Sequence, residues 1–74
     1  MIFLIQYDRG SGMLIENQQY PDSLLDEANA DRLKAEIEHA DNSEMEIVIL
    51  RSASLDELKR THARYFKSLT ELQF

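Results

Sequence analysis

Apolar and polar positions along this chain switch between period two and helical period, and the switches divide it into five segments. "IFLIQYD" is rich in β-branched and aromatic residues and stops at the Gly-containing "DRGSG"; "MLIENQQY" then resumes with alternating character. Two such runs around a short Gly loop predict a β-hairpin. Tyr20-Pro21 breaks the second strand, and Asp22 or Ser23 is expected to cap a helix that carries Asp26 and Glu27 early, where the dipole favours acids. In that helix Leu25, Ala30, Leu33, Ile37 and Ala40 recur on one side at helical spacing. "HADNSE" ends it, and the apolar run in "MEIVILR" predicts a well-buried third strand. Ser54 and Glu57 form the S-x-x-E capping-box pattern ahead of Leu55 and Leu58, so a second helix is expected from there to about Leu69.

The order β-β-α-β-α in a chain of residues 1–74 points to one α+β domain. The simplest sheet is three-stranded and mainly antiparallel, in the order 2-1-3, with both helices on one face as a two-layer α/β sandwich. Period two then sorts Phe3, Ile5 and Tyr7 with Met45, Ile47 and Ile49 toward the helices. Ile2, Leu4 and Gln6 with Glu46, Val48 and Leu50, joined by Leu14, Glu16 and Gln18, form an uncovered face with an apolar centre and polar margins. A solvated sheet face is normally polar at most positions, and a contiguous apolar patch marks an interaction site. Ile2, Leu4, Leu14, Val48 and Leu50 are therefore the interface candidates.

Length and charge sharpen this picture. A chain of 74 residues with no Cys builds a small core without disulfide or thiolate-metal support, which leaves association with a partner subunit as the route to extra stability. The net charge is -6, but up to Leu58 there are thirteen acids against four bases, and beyond it Lys59, Arg60, Arg64 and Lys67 against Glu71 alone. On a continuous helix Arg60, Arg64 and Lys67 gather on the side opposite Leu55, Leu58, His62, Tyr65 and Phe66. With Arg51 they are the candidates for a phosphate or carboxylate site. Three bases on an acidic domain neutralise few phosphates and no exposed aromatic interleaves them, which disfavours nucleic acid. A solvated helix face matched to its dipole accounts for the same row.

Little points to catalysis. His62, with Tyr65 or Asp8 to orient it, is the one candidate polar site, and a general base there needs a cleft that the sequence does not reveal. His39 stands among Glu36, Glu38 and Asp41 with no second His at ligand spacing, so no metal and no cofactor are expected. "MIFLIQYDRG" carries no basic n-region, and no apolar run approaches membrane length, so the chain reads as cytoplasmic and soluble, with no membrane partner. The stretches "FLIQYDRGSGML", "DEANADRL" and "SLDELKRTHARYF" resemble a family of small bacterial proteins of uncharacterised function, a resemblance that implies no activity and no binding residue. The expectation is a cytoplasmic interaction module that forms a homodimer through its open sheet face or edge, with anion or nucleic-acid binding on the basic row as the alternative.

Overall fold

The computed structural model describes residues 1–66. Lys67 of the expected basic row and the expected end of the second helix near Leu69 lie outside the described residues. Strand β1 (Ile2–Asp8) and strand β2 (Met13–Tyr20) form the hairpin, helix α1 (Leu25–Glu38) follows a 3-10 turn at Asp22–Leu24, and strand β3 (Met45–Arg51) leads to helix α2 (Leu55–Thr61) and a 3-10 turn at Ala63–Tyr65. The fold is α+β, with three antiparallel strands in the order β2-β1-β3.

Local chemistry explains the turns. Asp8 Oδ1 accepts the Gly10 N–H at 2.9 Å, and Asp8 O accepts that of Gly12 at 2.8 Å; Gly12, at φ 71, occupies the left-handed region that glycine enters at no steric cost. Pro21 donates nothing to a ladder and ends β2. The expected cap of α1 is absent: its N-cap is Leu24, with no side-chain hydrogen bond, and Asp22 is paired instead with the amino terminus at 2.6 Å. The cap of α2 is as expected, with Ser54 Oγ accepting the Glu57 N–H at 3.1 Å.

The placement of the helices differs from expectation. Phe3 and Ile5 pack with Leu58, Tyr65 and Phe66, whereas Ile2 and Leu4 pack with Ala28, Leu24 and Leu25. Successive strand residues point to opposite faces, so α1 covers one face of the sheet and α2 the other. The two-layer arrangement with an open face is thereby corrected, and β1 is the centre of the molecule, with Ile2 at 0% and Leu4 at 1% exposure. Two register facts produce this. Phe3 pairs with Leu50 and Ile5 with Val48, which puts the even residues of β3 on the face of the odd residues of β1. A bulge in β2 then lets Gln6 face Glu16 while Tyr7 faces Leu14, so one extra residue, Ile15, sends Leu14 and Glu16 to opposite faces.

Helix α1 also docks by an unexpected side. Its buried residues are Ala28 and Ala35, and Leu33 and Ile37, two of the residues that recur at helical spacing, are 55% and 69% exposed. Alanines let the helix lie close to Ile2, Leu4, Ile47 and Ile49, and the larger residues on the other side project away from the sheet.

Candidate functional site

The five interface candidates do not form a surface. Ile2 and Leu4 face α1, while Leu14, Val48 and Leu50 face α2. What the fold leaves open are the two edges of the sheet, β2 and β3, and β3 is the more apolar of them. Among the described residues this strand pairs only with β1, and Met45 to Leu50 are half-buried throughout. The most apolar segment of the chain thus sits at the margin of the sheet and presents a row of backbone donors and acceptors outward.

The α2 side of this edge carries a polar cluster. Glu46 is opposite Tyr7 in the ladder, and its Oε2 accepts hydrogen bonds from both the Arg64 guanidinium and the Tyr65 hydroxyl. Arg64 also donates to the Tyr65 oxygen at 2.8 Å. The guanidinium lies 4.4 Å from the Tyr65 ring centre and 5.8 Å from that of Tyr7, and the two tyrosines meet edge to face at 5.2 Å. Burial first, and then the bond to the Glu46 carboxylate, push the Tyr65 phenol above its ordinary value. The Glu46 side chain is only 17% exposed, and a half-buried carboxylate is stabilised by a charged partner and a hydroxyl donor.

The α1 side of the edge carries a shallow groove of about 240 Å³ lined by Glu36, His39, Met45 and Ile47. Arg32 donates to Glu36 at 2.8 Å one turn away, so this flank of α1 bears a matched pair of charges beside the strand. A second groove of about 200 Å³ lies on the other side of α1, between Gln6, Glu16, Gln18, Asp31, Lys34 and Glu38. Tyr20, at the end of β2, donates to Asp31 Oδ2 at 2.6 Å, which pins α1 to the hairpin.

The basic row is not assembled. Helix α2 stops at Thr61, His62 becomes its C-cap, and the chain tightens into the 3-10 turn, so Arg60 and Arg64 are not successive turns of one helix. Arg60 stays exposed, Arg64 is turned onto Glu46 and Tyr65, and Arg51 sits opposite Ile2 on the α1 face, near Asp22. Of the polar pair, the His62 ring is 6.3 Å from that of Tyr65, tilted by 33°, and Asp8 is occupied by Gly10. Glu46 and Tyr7 were missed at the level of sequence. The signal was present in Glu46, the single charge within "MEIVIL", since a charge inside a buried strand requires a partner.

No helix among the described residues is long and apolar enough to cross a membrane. No protein-family model, curated protein or solved structure matches the chain.

Proposed function

We propose that this domain is a small self-association module whose contact surface is the free edge of β3. The observation that carries the reading is the position of "MEIVIL": the most apolar strand is half-buried at the margin of the sheet, paired on one side only. A second copy is the occupant that the surroundings fit. The operator that joins two antiparallel edge strands is a twofold axis perpendicular to the sheet, which keeps each face on its own side. About Val48 it sets Ile47 against Ile49 of the second copy and Val48 against itself, with no like charges opposed.

The same operation brings both α1 helices to one face. Helix α1 rests on β1 and β3, so with strands about 4.8 Å apart the two helix axes fall about 10 Å apart, the ordinary distance for packed helices. They run antiparallel, with the flank bearing Arg32 and Glu36 turned toward the twofold, and each guanidinium meets the carboxylate of the other copy. A single six-stranded sheet results, and the groove beside Met45 and Ile47 becomes internal.

Backbone amide exchange tests this site by site. Protection of Glu46 to Leu50 is expected to rise with protein concentration, and Ile47→Lys, which places an ammonium in the groove, is expected to abolish the rise while the far-ultraviolet spectrum stays native. Charge reversal by Arg32→Glu should weaken the effect and the paired change Arg32→Glu with Glu36→Arg should restore it. β3 protection independent of concentration up to about 1 mM, the weak end of specific association, would sink the proposal.

A further inference from the structure

The ladder itself decides which residues of β3 meet a newcomer at the edge. The Ser52 N–H donates to the Met1 carbonyl at 3.1 Å, and the Arg9 N–H to the Glu44 carbonyl at 2.9 Å. Backbone pairing alternates along an antiparallel strand, so the even residues of β3 bond to β1, while Met45, Ile47, Ile49 and Arg51 direct their amides and carbonyls outward. A second β3 placed by the twofold at Val48 matches that pattern, with Ile47 opposite Ile49 and Met45 opposite Arg51. Arg51 lies on the α1 face, since it pairs with Ile2. It is exposed and makes no ion pair among the described residues.

That guanidinium arrives at the groove of about 240 Å³ lined by Glu36, His39, Met45 and Ile47. Arg51 of the second copy stands directly beside Met45 and diagonally beside Ile47, separations that a long side chain spans. Given the edge contact of β3, on which this rests, we infer that Arg51 of the second copy fills the groove against Glu36 and His39, and that protonation of His39 opposes the contact. The twofold makes two such contacts. His39 is the C-cap of α1, where the helix dipole favours a cation in the open groove, and Arg51 of the second copy sets a like charge against it. The neighbouring charges are committed elsewhere. Glu36 is paired with Arg32 at 2.8 Å, and β3 offers the groove only Met45 and Ile47. In the connection to β3, Asp41 and Glu44 are exposed, with Glu44 beside Gly10, and Arg9 donates to the Ser43 and Glu44 carbonyls. Asp22, which accompanies Arg51, is held by the amino terminus at 2.6 Å. Histidine is the side chain that ordinarily changes charge between about pH 5 and 8, so the contact loosens as the pH falls through that range.

Sedimentation equilibrium at about pH 7.5 and about pH 5.5, up to about 1 mM protein, tests this. The native chain is expected to associate roughly fivefold more weakly at the lower pH, as two surface charge contacts turn repulsive. Its net charge of -6 shrinks over the same interval, which by itself favours association, so the sign of the change separates the two effects. His39→Asn should remove the loss, and His62→Asn should keep it. Arg51→Gln should flatten the dependence, and Arg51→Glu should reverse it, because acid then gives His39 a carboxylate to meet. The same pH ratio in the native chain and in His39→Asn would overturn the role of His39. A native sign in Arg51→Glu would overturn the placement of Arg51. Association that rises with concentration but ignores pH removes this inference and leaves the edge contact standing, whereas a monomer at both pH values removes both.

Discussion

At the scale of single residues, Tyr20 shows how burial and one carboxylate change a side chain's chemistry. Burial first, and then the hydrogen bond to Asp31 and its charge, push the phenol up to about 12, from 10.0 in the unfolded chain. The folded state therefore holds this proton more tightly than the unfolded one. That stabilisation is fully present below about pH 10 and is lost as the pH climbs through about 12. Denaturant unfolding between about pH 9 and 12 is expected to show a steeper alkaline loss of stability for the native chain than for Tyr20→Phe; parallel curves would remove Tyr20 as the cause. Glu46 follows related logic with different partners, since a carboxylate placed on the covered face of β3 persists there by gathering Arg64 and Tyr65.

At the scale of elements, α1 has two apolar sides and uses the smaller. Ala28 and Ala35 are buried, and Leu33 and Ile37 are not. Ala28→Leu is accordingly expected to overpack the contact with Ile2 and Leu4 and to cost about 1–3 kcal/mol. Leu33→Ala, measured in dilute solution, should stay within about 0.5 kcal/mol of the native value because little is lost from the core. Urea midpoints compare the two directly, and a larger effect at Leu33 would mean that the helix docks by the other side. Periodicity alone favours the wrong face here because it weighs side-chain size, whereas close approach to a sheet already filled by Ile2, Leu4, Ile47 and Ile49 rewards small residues. The same limit applies to α2: the apolar arc through Leu58 and Tyr65 is real, but the helix ends at Thr61 and the chain reaches Tyr65 by a tighter turn.

At the scale of the whole molecule, a central strand covered on both faces is flanked by two edge strands, and β3 is the more apolar of them. A small domain with such a margin is expected to gain stability from its own concentration, because copies that bind only when folded shift the folding equilibrium. The midpoint of thermal unfolding should rise with protein concentration in the native chain and rise less in Ile47→Lys. A midpoint constant from low micromolar to millimolar protein would count against any association that requires the folded state.

By itself the sequence determined the local units: a Gly-turned hairpin, a helix opened after Pro21, a third apolar strand and a helix capped by Ser54, in an α+β domain with β1 between its neighbours. These follow from interactions within a few residues, namely turn chemistry, capping and period. The tertiary structure decided which side of each unit faces inward. One residue of register between β1 and β3, and one bulged residue at Ile15, reverse the faces on which Val48, Leu50 and Leu14 lie. Because strand side chains alternate with period two, such a shift moves every one of them to the other side of the sheet. The expected open face is consequently divided between two covered ones, and what stays uncovered is the outer edge of β3 and the outward side of α1 at Leu33 and Ile37.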